Sequence, residues 1–372
     1  GVTRVHLEED TAKLSHHAAD GETFSLVDVN RGGVPLMEIV SEPDMRSAEE
    51  ARQYLMKLRR ILRYLGISSG DMEEGAFRCD ANVSVRPEGS TTFGTKVEVK
   101  NMNSFRAVFR AIQFEEQRQR AMLESGQRIS QETRGWVETR GETVSQRSKE
   151  AAHDYRYFPE PDIPSLEVNP EWVAQVRETL PELPDAKRKR FGEQFGLSDY
   201  EAGVLTDTRA MAEFFEATVT LPMANGTAPT DVWARAKTVS NWCTGELLRL
   251  LNAHNLEVEN IKVSPANLSQ LIDLIEGDKL SQTAAKAVFE TMFETGRPAL
   301  EIVEEQGLAQ ISGSDELGGI VAKVIAETPQ AVADYKAGKQ AALGALMGKV
   351  MKETRGRANP GVVTELLKEQ LG

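Results

Sequence analysis

Apolar and polar residues alternate with a period of two in three short stretches near the start of the chain: RVHLEED (4–10), FRCDANVSVRP (77–87) and TKVEVKN (95–101). Such alternation predicts strands with one apolar face. In the first stretch Val5, Leu7 and Glu9 share a face, opposite His6, Glu8 and Asp10. In the second, Cys79, Ala81, Val83 and Val85 form the apolar row and Arg78, Asp80, Asn82 and Ser84 the polar one. In the third, Val97 and Val99 oppose Lys96, Glu98 and Lys100. The intervening PEGSTTFG has the length and Gly/Pro content of a hairpin loop, which would set Asp80 and Glu98 on one polar sheet face.

The period changes over SAEEARQYLMKLRRILRYLG (47–66), where Tyr54, Leu55, Leu58, Ile61, Leu62 and Leu65 recur at three and four. Ser47 and Glu50 predict a capping box, and Gly66 a stop. A second helix is predicted from Ser104 to about Ser125, ended by Gly126. The first part is therefore α+β, with mostly antiparallel strands. From about Pro170 the pattern becomes helical, in EWVAQVRETL, PDAKRKRFGEQFG, RAMAEFFEATV, VSNWCTGELLRLLNAHN and SPANLSQLIDLIEG. LPMANGTAPTD (221–231) breaks both periods and predicts a loop. From about Gly296 the helices are short and punctuated by Gly and Pro. The expected domains are 1–170, 171–295 and 296–372.

Composition narrows this picture. A chain of 372 residues is too long for one simple core. It has no apolar run of about eighteen residues, the length of a membrane-spanning helix. Two cysteines in no ligand spacing, Cys79 and Cys243, fit a reducing cytoplasm better than a disulfide scaffold. The net charge of −13 argues against a broad electrostatic footprint for nucleic acid, so any RNA contact must be local. One basic tract answers to that: Lys336, Lys339, Lys349, Lys352, Arg355 and Arg357. Taken alone, it is as readily a solvated helix face.

Three constellations could carry chemistry. Glu9, Asp80 and Glu98 are oxygen donors of the kind a divalent cation takes, and Arg78, Lys96 and Lys100 would suit phosphate oxygens. The simpler alternative is a charged, solvated sheet face, except that Glu9 on an apolar row asks for a partner. Asn30-Arg31-Gly32-Gly33, followed by Glu38, Glu42 and Asp44, lets backbone approach a ligand beside the Arg31 cation, or is simply a turn before a strand. DYRYFPEPDIP (154–164) interleaves aromatics with Arg156, suited to stacking on a base or to packing in a core. The chain has no G-x-x-x-x-G-K-[ST] run, so P-loop chemistry is not supported.

Several runs taken together resemble one family: HLEED (6–10), LVDVNRGGVPLMEIVSEPD (26–44), MEEGAFRCDANVSVRP (72–87), GTKVEVKNMNSF (94–105), QETR (131–134) and DYRYFPEPD (154–162). They are similar to the B subunit of the aspartyl/glutamyl-tRNA amidotransferases, GatB. GKVMKETRGRANP (348–360) resembles its YqeY-like tail. The resemblance runs the length of the chain, in order.

The resemblance implies a cradle domain, a helical domain and a tail that contacts tRNA. It implies ATP- and Mg²⁺-dependent phosphorylation of Glu on tRNA(Gln) or Asp on tRNA(Asn), then amidation with ammonia from an A subunit, in a cytoplasmic complex that also holds a C subunit. Carried onto this sequence, Glu9, Glu98 and Arg78 would be catalytic, and Glu9, Asp80 and Glu98 would hold the metal. Glu38 is a lesser candidate. Arg31, Lys96 and Lys100 would meet the nucleotide, and Lys339, Lys349, Lys352, Arg355 and Arg357 the tRNA. The family pattern also has a Glu/His-bearing stretch before HLEED, which the chain is expected to lack. A non-enzymatic tRNA-binding adaptor, using only the helical and tail parts, is the competing expectation.

Overall fold

The computed structural model describes residues 1–19, 22–148, 162, 164, 167–222, 231–311, 314–354 and 356–372. The chain divides into two compact units, residues 1–62 with 68–167, and residues 63–67 with 168–372.

The first unit is α+β. Strand β1 (Val2–Glu9) pairs antiparallel with β4 (Pro35–Ser41), and β2 (Lys13–Ala19) with β3 (Glu22–Asp28), as two separate ribbons. Helix α1 (Ala48–Tyr64) follows. Its start differs slightly from the expected capping box. Ser47 Oγ accepts from Glu50 N at 3.1 Å, but the Glu50 carboxylate reaches back to the N–H of Arg46, at 2.5 Å, instead of Ser47. Gly66 stops the chain in a left-handed conformation, φ +67°.

Strands β5 (Ala81–Val83), β6 (Val97–Lys100), β7 (Glu132–Val137) and β8 (Glu142–Ser148) form a four-stranded sheet in that order. The expected hairpin is present: Ala81 faces Val99, Asn82 faces Glu98 and Val83 faces Val97. β6 and β7 run parallel, an exception to the antiparallel expectation. The connection between them is helix α2 (Phe105–Glu124), a crossover of the kind parallel pairing requires. Ser104 caps it, accepting from Ala107 N at 3.1 Å.

Ala107, Val108 and Ala111 of α2 are buried with Val99, Met102, Trp136 and Leu55. One turn further along the same helix face the packing becomes polar. Glu115 is fully buried, bonded to Arg118, to Gln119 Nε2 at 2.9 Å and to Thr143 Oγ1 at 3.0 Å, with Arg134 Nε at 3.6 Å.

The second unit is helical, with α3 (Pro170–Thr179), α4 (Pro184–Phe195), α5 (Asp199–Leu205), α6 (Arg209–Thr220), α7 (Val232–Trp242), α8 (Leu248–His254), α9 (Pro265–Glu276), α10 (Gln282–Thr295) and α11 (Ala299–Gln306). A π-helical turn, Cys243–Leu247, joins α7 to α8 as one continuous helix. Phe191, Phe195, Phe215, Leu247, Leu271, Phe289 and Met292 are among the core of this part.

A second core lies in α12 (Ser314–Glu327), α13 (Pro329–Lys336), α14 (Ala341–Glu353) and α15 (Pro360–Leu371), around Leu317, Val321, Leu346, Val350, Val363 and Leu367. Ala299, Ile302 and Val303 of α11 pack in the first of these cores. No helix among the described residues is long and apolar enough to cross a membrane.

Candidate active site

The alternation in β5 and β6 decides which side chains are available for chemistry. Val97 and Val99 are buried beneath the sheet, which turns Glu98 and Lys100 to the other face. The register sets Asp80, one residue before β5, level with Lys100. The Lys100 ammonium is bonded to the Asp80 carboxylate and lies 3.6 Å from Glu98 Oε1. Burial alone would lower the Lys100 pKa, but the two carboxylates outweigh it and raise it. Glu98 is fixed from the other side by Thr133 Oγ1, its partner across the parallel pair, which donates at 2.8 Å. Lys96 is exposed beyond the end of β6, with no described partner.

Arg78 lies two residues before Asp80 and bonds to Asp10, which follows directly on β1. Asp10 is buried, and the Arg78 hydrogen bond, opposed by burial, holds its carboxyl below the usual range. Arg31 approaches the same carboxylate, with Nε 3.1 Å from Oδ2. Its Nη1 and Nη2 donate to the carbonyls of Glu74 at 3.3 Å and Gly75 at 3.0 Å. Arg31 is therefore occupied as a strut. Gly75 adopts φ +72°, and a Cβ there would stand 2.6 Å from Arg31 Nη1.

Of the expected metal carboxylates, Asp80 and Glu98 meet at one cation, and the three do not form one cluster. Glu9 is exposed with no described partner, while Asp80 and Glu98 already share the Lys100 ammonium. Val5 and Leu7, expected on a core-facing row with Glu9, are 53% and 81% exposed, since no described element packs against that side of the ribbon. Among the described residues a different trio meets. His6, Glu8 and Glu38 place one ligand atom each within 4.8 Å of one another. His6 and Glu38 are cross-strand partners, and His6 Nδ1 lies 3.7 Å from Glu8 Oε1. Two carboxylates beside a ring nitrogen fit a divalent cation that retains water and phosphate ligands.

Asp10, His6, Glu8 and Thr133 were not among the principal sequence candidates, because each gains its role from a residue distant in the chain. Asn101 and Gln146 also border the polar face. A Cβ on Gly135 would meet Gln146 Nε2 at 2.3 Å and Asn101 Nδ2 at 3.0 Å. Cys79 is no nucleophile at neutral pH, since burial pushes its thiol up to about 12.

In the tail, Lys349 and Lys352 of α14 are exposed with no described partner. Lys339 is paired with Asp334 at 3.0 Å, and Arg357 donates to the carbonyls of Thr354 and Gly307. Arg355 lies outside the described residues, as does DYRYFPEPDIP except Asp162 and Pro164.

Comparison with known proteins finds matches along the whole chain. Residues 1–174 match the GatB/GatE catalytic domain, and residues 228–371 match the GatB domain. A protein of Dehalococcoides mccartyi, named as the B subunit of an aspartyl/glutamyl-tRNA(Asn/Gln) amidotransferase, is 52% identical over 381 residues, covering 100% of this chain and 75% of the relative. Proteins of the same name from Moorella thermoacetica and Carboxydothermus hydrogenoformans are 54% and 53% identical, again over 100% of this chain and over 76% and 75% of their own lengths. Identity at half of all positions, sustained from one end of the chain to the other, means that the chain belongs to the GatB family of amidotransferase B subunits.

Proposed function

We propose that this chain carries the ATP-dependent activation step of a tRNA-dependent amidotransferase, with Glu on tRNA(Gln), Asp on tRNA(Asn), or both as acceptor. The observation that supports this most directly is the Asp80–Lys100–Glu98 line on the open face of a sheet packed on α2. A side-chain carboxylate is a poor acyl donor. One of its oxygens attacks the γ-phosphorus of ATP, the bond to ADP breaks, and an acyl phosphate results. Ammonia then adds at the acyl carbon, phosphate leaves with the C–O electron pair, and a proton passes from nitrogen to solvent.

Catalysis of such a transfer is mainly positioning and charge neutralisation. Lys100 and Arg78 bring cations to the phosphoryl oxygens, and Lys96 offers a third. Glu98, anchored by Thr133, keeps Lys100 in place. Mg²⁺ would be held by His6, Glu8 and Glu38, with Glu9 nearby on the same strand, and would supply further charge neutralisation. Ammonia would come from an A subunit, with a C subunit completing a cytoplasmic complex. The helical part and the tail, through Lys349 and Lys352, would hold the tRNA.

The test uses the complete complex. Glu98→Gln is expected to lower ATP-dependent amidation by at least about 100-fold while leaving tRNA affinity unchanged. Undiminished amidation would remove Glu98 from the site and overturn this assignment. RNA cleavage by Mg²⁺ alone, without ATP, would indicate a nuclease.

A further inference from the structure

Just beyond the end of β1, Asp10 is held by two backbone bonds. Its N–H donates to the Val34 carbonyl at 2.8 Å, and its carbonyl accepts from Gly33 N at 2.9 Å. The carboxylate is only 9% exposed. Oδ1 accepts from Thr11 N at 3.1 Å and from Arg78 Nη1 at 3.3 Å. Oδ2 accepts from Arg78 Nη2 and faces Arg31 Nε at 3.1 Å. One buried negative charge therefore meets two guanidinium groups, leaving a surplus positive charge.

The two arginines are not equivalent. Arg31 has all three nitrogens engaged on Asp10, Glu74 and Gly75. Arg78 is gripped along one edge only, and its side chain remains 53% exposed. A guanidinium has five N–H groups, so Arg78 retains donors after both bonds to Asp10. It also lies two residues before Asp80, whose carboxylate holds Lys100. A free arginine samples many rotamers, whereas a bidentate carboxylate fixes the plane of its fork.

We propose that Asp10 is a positioning residue for phosphoryl transfer, fixing the Arg78 guanidinium so that its remaining N–H groups meet the oxygens of the transferring phosphoryl group. This rests on the activation step proposed above. Asp10 touches no substrate and acts only through Arg78. Arg31 closes the other side of the carboxylate and keeps it from turning away.

The test is a double-mutant cycle in the complete complex, with ATP and misacylated tRNA as substrates. Asp10→Asn is nearly isosteric and keeps an acceptor for Thr11. It is expected to lower kcat by about 10- to 100-fold with KM for the tRNA unchanged. Arg78→Gln should fall to a similar rate, and the double variant should be little slower than either single one. Asp10→Glu, which keeps the charge, should recover part of kcat and replaces Asp10→Asn if that variant does not fold.

Losses that multiply in the double variant would overturn the proposal. So would a lower melting temperature for Asp10→Asn with kcat within twofold of the parent. If Arg78→Gln alone leaves kcat intact, Asp10 has nothing to act through and the proposal fails, while loss of amidation in Glu98→Gln would still uphold the activation step itself.

Discussion

The Arg357 guanidinium donates to the carbonyl of Gly307 at 3.2 Å, at the left-handed residue that ends α11. The backbone around it reinforces the link, with Ile311 N donating to the Arg357 carbonyl at 2.7 Å and Asn359 N to the Ile311 carbonyl at 3.0 Å. A cation at a helix C-terminus is also favoured by the helix dipole. Arg357 thus staples the tail to the end of α11, whereas Lys349 and Lys352 are exposed with no described partner.

That distinction separates two effects. Lys349→Ala with Lys352→Ala should weaken tRNA binding and reduce the slope of log affinity against log salt by up to about 2, with the melting temperature unchanged. Arg357→Ala should cost about 1 kcal/mol of stability and leave the slope as it is. Filter binding across a salt series, beside urea unfolding, reads both. A changed slope in Arg357→Ala would return that residue to the RNA-contacting set.

Glu115 governs the rigidity of the first unit. Its carboxylate is fully buried and joins α2 to β7 and β8 through Arg118, Arg134 and Thr143. Arg118 and Arg134 are themselves only 18% and 14% exposed. Truncation leaves Glu132, 2.8 Å from Arg134 and 3.8 Å from Arg118, as the remaining carboxylate for both cations and removes the hydrogen bonds that Glu115 accepts, so Glu115→Ala should destabilise by about 2 kcal/mol and Glu115→Gln by less. Denaturant midpoints measure this, and a loss below about 1 kcal/mol would mean that water replaces the carboxylate.

Stability in acid should depend on Glu201. Its carboxylate accepts from Lys237, and from Ser198 Oγ at 2.7 Å and Ser198 N at 3.1 Å. The Lys237 bond first, then the Ser198 bonds, hold its pKa down to about 2, against 4.5 for an ordinary glutamate. A depressed carboxylate contributes fully above the unfolded-state value and loses its contribution as pH falls towards the folded-state one. The stability difference between the parent and Glu201→Gln should therefore shrink between about pH 4.5 and pH 2. A difference that stays constant across that window would mean that the ion pair contributes nothing to folding.

The parts of this fold that local pattern controls were legible in the chain. Val97 and Val99 alternate with Glu98 and Lys100, and with a hairpin loop before them the shared polar face of Asp80 and Glu98 followed. Ser104 and Gly126 mark the limits of α2 by capping chemistry. The β7–β8 pair was not legible, because Arg134 and Gly135 interrupt the alternation of β7 and its place beside β6 comes from a parallel crossover. The site divides similarly. The Asp80–Glu98 juxtaposition needed only a hairpin, whereas the burial of Asp10 depends on Arg31 and Arg78, neither of which is near it in sequence. Helix α5 was missed because it is only seven residues long and is signalled mainly by its Ser198–Glu201 capping box.

The π-helical turn at Cys243–Leu247 bears on how this protein can change in length. Such a turn is an α-helix carrying one residue too many, accommodated without a break. Cys243 and Leu247 face the core, and so do Leu250 and Leu251 just beyond. Deleting one residue within the turn would restore ordinary helical spacing while leaving both flanking helices on their existing axes. Along a helix where any other deletion would rotate every following side chain by about 100°, this is the position at which the chain could lose a residue without repacking.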